Sequence, residues 1–320
     1  MTGGVRFLAL FLIAATLSSC KRPKELVVFY AASLRHLISD AVKGFQETHP
    51  GLIVHLEPSG SQVAARKVAE LGLRADVVAI ADATVIDGIM IPAHASWNLE
   101  FATNEIVLAH GQHSPFTGEV SATNWPTILL RPGIRLGRGN PDTAPIGYQT
   151  LFTWQLAERS GTYGEAGAGL QGRLLRAVPP KHIAVDETEL LALLETRAID
   201  YAFIYRSTAE DHRLKFIRLP DTQNLSRIDM ADTYAKVSVE ARMKRSQQGN
   251  VIVGHPITYG VTIPLTAPHP AVAKEFVAFL LSREGHRLAR TAGFTPLTPA
   301  LSRQFDQLPA PLRSLAKPAR

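Results

Sequence analysis

Short apolar runs alternate with amphipathic stretches along the chain, and this alternation restricts the fold more than any other feature. In residues 34–48 the apolar side chains recur at helical spacing, and His49-Pro50-Gly51 ends the stretch. The first predicted strands are 26–30, 52–56 and 76–81, and the helices that follow them are 34–48, 62–71 and 83–90. Repeated strand–helix units of this length predict an α/β fold with a mostly parallel sheet covered by helices.

The rest of the chain continues this pattern. Further strands are predicted at 105–109, 134–137, 201–205 and 258–263, and further helices at 147–159, 188–196, 271–281 and 284–290. A mature chain of roughly 300 residues exceeds what one compact lobe needs. With crossings near Thr103 and His255, we expect two lobes and a cleft. Lobe 1 is predicted to comprise 26–103 and 256–300, lobe 2 to comprise 104–255, and 301–320 to form a surface tail.

The first twenty residues have the composition of an export signal. Arg6 precedes an almost wholly apolar run at 7–17, which is shorter than the roughly 20 residues that span a bilayer. Small residues then precede Cys20, the only cysteine of the chain. This stretch resembles a lipobox, so we expect a signal peptide at 1–19, lipidation of Cys20, a linker at 20–25 and an exported protein anchored to a membrane. An ordinary cleaved signal with a chance cysteine is the alternative.

Composition and charge disfavour several classes of function. The formal net charge is +6, without a long Lys/Arg run, so nucleic-acid binding has little support. No GxGxxG or P-loop motif occurs, so no nucleotide cofactor is expected. A mildly positive surface suits an anionic ligand, although solubility alone also accounts for it.

Two serines lie in consecutive strand-to-helix turns. Ser33 follows the first predicted strand and Ser61 the second, each just before a helix. A hydroxyl and backbone N–H groups at the positive end of a helix form an anion site. Serine is also a favoured N-cap, so both residues have a purely structural interpretation as well.

Three later segments place further hydrogen-bond donors at such turns. Residues 140–148 form a turn that opens a helix, with Pro145 in its first turn and the N–H groups of Ile146, Gly147 and Tyr148 available to an anion. Residues 185–189 open another helix, with Asp186 as a cap. Tyr205 ends a predicted strand, where its hydroxyl reaches either the rim of the core or a ligand.

These segments together resemble periplasmic tungstate/molybdate-binding proteins of ABC transporters. The resemblance is in consistent order over about residues 26–300, and Pro141…Pro145-x-Gly147-Tyr148 is close to the turn of those proteins. The segments that carry it are 29–34, 59–61, 74–79, 101–109, 140–148 and 200–207.

The resemblance implies a two-lobed type II periplasmic-binding fold, each lobe a mixed sheet flanked by helices, with the ligand in the interlobe cleft. It also implies a monomer that delivers tungstate or molybdate to an ABC permease and its ATPase, and that is not an enzyme. The implied contacts are Ser33 and Ser61 from one lobe, and the backbone near Ile146, Gly147 and Glu187 with the Tyr205 hydroxyl from the other.

One departure from archaeal tungstate-binding relatives concerns the coordination of the metal. Those relatives are thought to add two carboxylates to it, one from just before the second proline of the loop. This chain has Thr143 and Ala144 there, and Ile204 where we expect the other acid. Asp142 is the only nearby acid. We therefore predict plain tetrahedral binding of the oxyanion.

Two alternative functions are a different cargo and an enzyme. Sulfate or another oxyanion fits the same fold with a different cargo. An exported serine hydrolase would use Ser33 with His36 as its base, but these two are one helical turn apart and no G-x-S-x-G motif is present.

Overall fold

The computed structural model describes residues 24–242 and 250–319. The predicted signal peptide at 1–19, Cys20 and most of the linker at 20–25 lie outside the described residues. None of the helices in the described ranges has the length and apolar character needed to cross a membrane.

Fourteen strands in the described residues form three sheets. They are β1 Glu25–Ala31, β2 Ile53–Ser59, β3 Val77–Ile80, β4 Leu99–Thr103, β5 Ile106–His110, β6 Leu136–Gly139, β7 Ile183–Ala184, β8 Tyr201–Tyr205, β9 Lys215–Arg218, β10 Ser238–Ala241, β11 Asn250–Val253, β12 Thr258–Thr262, β13 Thr295–Ser302 and β14 Ala316–Pro318. The seven-stranded sheet has the order β14-β13-β4-β12-β3-β1-β2, the five-stranded sheet β7-β6-β8-β5-β9, and β10 and β11 form a separate pair.

Twelve α-helices in the described residues surround these sheets. They are α1 Arg35–Thr48, α2 Ser61–Ala69, α3 Ala83–Val85, α4 Trp125–Leu129, α5 Pro145–Arg159, α6 Leu170–Ala177, α7 Glu187–Glu195, α8 Arg206–Asp211, α9 Ala231–Tyr234, α10 Pro270–Leu280, α11 Arg283–Thr291 and α12 Ala310–Arg313. Short 3-10 turns join several of them, and a π-helical turn at Ile86–Met90 continues α3.

The fold is α/β with two lobes, and each lobe is built on one mixed sheet. In lobe 1, the seven-stranded sheet and its helices, β1 pairs in parallel with β2 and β3, as the strand–helix units require. The strand β12 then returns between β3 and β4, antiparallel to both. In lobe 2, the five-stranded sheet and its helices, β5 pairs antiparallel with β8 and β9. The chain passes between the lobes from β4 to β5 and again before β12.

Helix α5 forms the centre of lobe 2. Twelve of its residues are buried, from Pro145 to Ala157, so both faces pack against protein. A helix buried in this way has a fixed axis, and its N-terminus is therefore held at a fixed point of the interlobe cleft.

The prediction of a surface tail at 301–320 is wrong. Strand β13 extends to Ser302, and β14 pairs with it in parallel. Leu308 and Leu312 are 2% and 0% exposed. The segment is stabilised by burial against lobe 1, which is a long-range contact that local sequence periodicity does not reveal.

Candidate functional site

A small cavity between the lobes collects the starts of three helices. The N-termini of α2, α5 and α7 all contribute, the first from lobe 1 and the other two from lobe 2. The volume of the cavity is about 10 Å³, so its walls are nearly in contact. The lining residues are Ala31, Ala32, Ser33, Ser59, Gly60, Ser61, Ala81, Ala144, Pro145, Ile146, Asp186, Glu187 and Tyr205. This set of described residues includes no Lys, Arg or His.

The structure thus brings five of the predicted site residues to one cavity and leaves two outside its lining. Those brought together are Ser33, Ser61, Ile146, Glu187 and Tyr205, whereas Gly147 and Asp142 do not line the cavity.

The hydroxyl of Ser33 is oriented by a chain of hydrogen bonds. The Tyr259 hydroxyl donates to Ser33 Oγ at 3.2 Å and accepts from the Asn104 side-chain amide at 3.3 Å. The other end of that amide is fixed as an acceptor, because Asn104 Oδ1 receives the N–H of Glu105 at 2.9 Å. Since Ser33 Oγ already accepts, its own hydrogen is free to be donated into the cavity.

The hydroxyl of Ser61 is oriented in the same sense. Its Oγ accepts the N–H of Ala81 at 3.0 Å, and the residue is 1% exposed. Ser61 is also the first residue of α2, whose opening N–H groups lack intrahelical acceptors. Both its O–H and its N–H are therefore available to an anion.

Helix α5 contributes the N–H of Ile146, but Gly147 has a different role from the predicted one. Ile146 is the second residue of the helix, so its N–H has no acceptor within the helix. The N–H of Gly147 instead donates to the carbonyl of Ala144 at 3.0 Å. A Cβ at position 147 would lie 2.4 Å from Asn140 C, so glycine is required here for close backbone packing.

Glu187 opens α7 and places both its N–H and its carboxyl group at the cavity. Asp186 caps the helix by accepting the N–H of Glu189 at 3.0 Å, which leaves the N–H of Glu187 unbonded within the helix. The Glu187 Oε1 accepts the N–H of Tyr205 at 3.0 Å. Burial raises the pKa of this carboxyl to about 8, against the lowering effects of the Tyr205 N–H and the Thr208 hydroxyl.

The hydroxyl of Tyr205 is engaged by another side chain of the protein. It donates to Gln149 Oε1 at 2.7 Å. Asp82 determines which way the Gln149 amide is turned. The Gln149 amide nitrogen donates to Asp82 Oδ2 at 3.4 Å, whereas the Gln149 amide oxygen in that place would be repelled by the carboxylate. The Tyr205 hydroxyl hydrogen is therefore used within the protein, whereas the resemblance implied that it is donated to the ligand.

Behind this group, Asp82 and His255 form a buried ion pair that joins the lobes. Asp82 Oδ2 lies 2.7 Å from His255 Nε2 and 2.6 Å from the Tyr148 hydroxyl. Burial acts to raise the pKa of Asp82, but the charge and hydrogen bond of His255 outweigh it and hold the pKa below its ordinary value. Burial acts to lower the pKa of His255, but Asp82 raises it to about 9. Since Asp82 follows β3 of lobe 1 and Tyr148 lies on α5 of lobe 2, the pair connects both.

Asp142, the one acid named above for a contact with the metal, does not line the cavity. Its backbone N–H donates to Asn140 Oδ1 at 2.9 Å. Its carboxylate accepts the backbone N–H of Arg242 at 2.7 Å and the Arg242 Nε at 3.2 Å. Ala144 lines the cavity and Ile204 is buried in β8, so neither position supplies a carboxylate.

The histidine that a serine hydrolase would use as the base for Ser33 is paired with acids. Both ring nitrogens of His36 face carboxylates: Nδ1 lies 3.1 Å from Asp211 and Nε2 lies 3.3 Å from Asp40. Within residues 24–242 and 250–319, no cluster of three His, Cys, Asp or Glu side chains is arranged to hold a metal ion.

Sequence reasoning missed the residues that orient the predicted ligand-binding side chains. Tyr259, Asn104, Gln149 and Asp82 come from four separate elements, and each acts on the site through a contact distant in the chain. The only local signal was the position of Asn104 at the predicted crossing between the lobes.

Two α/β lobes with helix N-termini converging on a cavity between them define a periplasmic-type solute-binding fold. The profile of the bacterial extracellular solute-binding protein family matches residues 26–295, and the chain belongs to this family.

Named relatives and solved structures agree with this assignment. The chain is 36% identical to an uncharacterized solute-binding protein of Petrotoga mobilis, over 92% of this chain and 90% of that one. It is 34% identical to the molybdate/tungstate-binding protein WtpA of Pyrococcus abyssi, over 93% and 91%. The periplasmic molybdate-binding protein of Azotobacter vinelandii has the same fold, with a TM-score of 0.61 at 15% identity over 84% of this chain and 98% of that one.

Proposed function

We propose that this protein is the extracytoplasmic component of an ABC importer and captures tungstate or molybdate as a tetrahedral oxyanion. The observation that carries this proposal is the cavity where hydroxyl and backbone N–H donors of both lobes meet without a cationic side chain. Ser33 and Ser61 contribute from lobe 1, and the N–H groups of Ile146 and Glu187 from lobe 2.

Neutral donors of this kind suit a small dianion that is removed from water. A buried ion needs its oxygens saturated with donors, since desolvation otherwise defeats binding. The starts of α2, α5 and α7 add the positive ends of three helix dipoles, which favour negative charge without lysine or arginine. Fixed donors also discriminate against ligands that carry a proton and therefore require an acceptor.

We propose plain tetrahedral coordination of the metal. Ala144 and Ile204 are apolar, and the carboxylate of Asp142 is paired with Arg242. Selection among oxyanions then depends on the size of the cavity. Sulfate has the same charge and shape and a smaller radius, so it is the natural competitor.

Capture requires the lobes to separate and close again. The cavity is bounded on both sides and has little free space, so an anion enters only after the lobes part. The closed form then presents to the permease a surface built from both lobes. We propose that the protein acts as a monomer without enzymatic activity.

Export and anchoring are part of the same proposal. Membership in an extracellular family supports the signal peptide predicted at 1–19, and lipidation of Cys20 would keep the binding protein near its permease. Incorporation of labelled fatty acid into the full chain, with Cys20→Ala as control, tests the anchor.

The test of the binding function is calorimetric titration of the mature protein with tungstate, molybdate, sulfate and phosphate. We expect submicromolar binding, on the order of 8 kcal/mol or more, for tungstate or molybdate, and weak or no heat from phosphate. If sulfate were the tightest ligand, the proposed cargo would be sulfate and not tungstate or molybdate. Heat from none of the four would overturn the proposal.

A further inference from the structure

The carboxyl group of Glu187 is an unusual component for an anion site. The residue is 3% exposed and lines both the interlobe cavity and a second cavity of about 310 Å³ beside it. Its Oε1 accepts one backbone N–H, whereas its Oε2 is buried without a hydrogen bond among the described residues. The Thr208 hydroxyl, a neutral group that acts on this carboxyl, is likewise buried without a hydrogen-bond partner. An ionised carboxylate in this position would have half of its charge unsolvated and unpaired.

The titratable groups around Glu187 do not supply a compensating positive charge. Asp186 precedes it on α7, and Asp82 lies beyond Tyr205; both are acids. Tyr205 on β8 and Tyr259 on β12 have pKa values raised well above 10 by burial, so both are neutral. The titratable groups across the second cavity are Arg35, His36, Glu195, Asp211 and His212, and none of them is among the charges that act on the pKa of Glu187. His36 lies 3.1 Å from Asp211, and His212 lies 3.4 Å from Glu195 and 3.9 Å from Asp211.

We propose that Glu187 is a specificity-determining residue whose side chain must carry a proton for the site to hold a dianion, so that anion capture is linked to proton uptake. The inference rests on the proposed function and adds a mode of regulation to that site. In its neutral form Glu187 brings no negative charge to the anion, and its O–H is a further donor. In its ionised form the carboxylate is a like charge at the same cavity, with no cation between them.

The direction of the pH effect follows from this linkage. With the pKa of Glu187 at about 8, the protein at pH 7 is mostly in the form that binds, and at pH 9 about one molecule in eleven remains so. The apparent affinity for the anion then falls about tenfold between pH 7 and pH 9. The bound anion in turn raises the pKa further, so binding at pH 8 to 9 takes up part of a proton per site.

The experiment uses Glu187→Gln, with Glu189→Gln as the matched control. The glutamine amide keeps an acceptor for the N–H of Tyr205 and imitates the neutral acid, whereas Glu189 is an exposed acid in the same helical turn. Tungstate is titrated by calorimetry at pH 6, 7, 8 and 9, in two buffers of different ionisation enthalpy. The comparison cancels any titration of tungstate itself or of other groups, since these are common to all three proteins.

We expect the wild type and Glu189→Gln to lose affinity about tenfold from pH 7 to 9 and to show buffer-dependent heats at pH 8 to 9. Glu187→Gln is expected to bind as the wild type does at pH 6, with a flat profile and no proton uptake. Equal pH profiles for all three proteins would overturn the inference, as would loss of binding at every pH in Glu187→Gln with a flat wild-type profile, because that pattern indicates an ionised ligand to the metal. No binding by the wild type at pH 6 would instead contradict the proposed function.

Discussion

At Ser33 and Ser61 the direction of each hydroxyl hydrogen is set by what its oxygen already accepts. Tyr259 donates to the first and the N–H of Ala81 to the second, so neither hydroxyl is consumed by its own helix as a conventional N-cap would be. The capping interpretation of these residues is therefore not the one that the structure favours. Both hydroxyls are placed as donors at the cavity before a ligand arrives, which reduces the cost of ordering on binding.

We expect Ser33→Ala and Ser61→Ala each to weaken tungstate binding by roughly 10- to 100-fold, because a hydrogen bond to a charged group contributes about 1.5–3 kcal/mol. Calorimetry measures the loss, and thermal unfolding of the ligand-free variants checks that the fold persists. Tyr259→Phe is the graded comparison, since it removes only the donor that orients Ser33. Unchanged affinity in both alanine variants would place the anion elsewhere.

The residues that were predicted wrongly show what a local pattern cannot determine. Gly147 and Ile146 are neighbours in one motif, yet the N–H of Gly147 is used by Ala144. Asp142 is two residues from Ala144, yet its carboxylate pairs with Arg242, 100 residues away. Spacing identified which turn approaches the cavity. The direction of each donor and acceptor depended on partners that are distant in the sequence.

Among the elements, the strand–helix units were predictable because each carries its own apolar periodicity. The predicted helix at 34–48 corresponds to α1 at Arg35–Thr48, and the predicted strand at 258–263 to β12 at Thr258–Thr262. Strand β14 and helix α12 were missed, since three- and four-residue elements have no periodicity to detect. Both depend on packing against other elements: β14 pairs with β13, and α12 packs against α10.

The C-terminal element is expected to contribute to stability. Leu312 is fully buried on α12, so Leu312→Ala should lower the free energy of unfolding by about 2–5 kcal/mol. Leu265→Ala is the matched control, because that leucine is 61% exposed and its truncation should change stability by less than about 0.5 kcal/mol. Urea unfolding measures both variants. A small effect at Leu312 would restore the prediction of a surface tail.

The contact between α2 and the loop before α5 gives a test of lobe closure. A Cβ on Gly60 would lie 2.3 Å from the backbone carbonyl oxygen of Thr143, across the cleft. Because the φ of Gly60 is −65°, alanine fits locally and the clash arises only when the lobes meet. Gly60→Ala should therefore weaken anion binding by at least about tenfold while the ligand-free thermal stability changes little. Gly118→Ala, where a Cβ meets nothing within 4 Å, should bind as the wild type does.

At the scale of the whole molecule, the lobes are connected by a buried ion pair as well as by two chain crossings. His255 lies on the returning crossing, Asp82 in lobe 1, and Tyr148 on the central helix of lobe 2. The Asp82 carboxylate accepts from His255, from Tyr148 and from the N–H of Thr84 beside it, so it has a donor from the crossing and from each lobe. The polar group thus lies at the junction of the lobes and is linked through Gln149 to Tyr205 at the cavity.

This ion pair predicts how stability depends on pH. The pKa of His255 is raised from 6.5 to about 9, so its contribution to stability is fully present below pH 6.5 and is lost as pH rises through 9. The pKa of Asp82 is lowered, so its contribution is present above pH 3.8 and is lost as pH falls through the folded-state value. We expect the free energy of unfolding to fall by up to about 3 kcal/mol on the alkaline side.

The loss of stability at alkaline pH that the ion pair causes should be absent when His255 is replaced. In His255→Gln the Asp82 carboxylate remains buried without its cation, so the variant should be less stable by about 3–5 kcal/mol at pH 7, with the difference narrowing towards pH 10. His113→Gln, which changes an exposed histidine, should follow the wild type throughout. Glu187 contributes to the pH dependence between about 4.5 and 8 in all three proteins, because its raised pKa lowers stability as pH rises over that range. Since this contribution is shared, any narrowing of the difference in free energy of unfolding between the wild type and His255→Gln reports the ion pair alone. A constant difference from pH 6 to 10 would show that His255 is neutral in the folded protein.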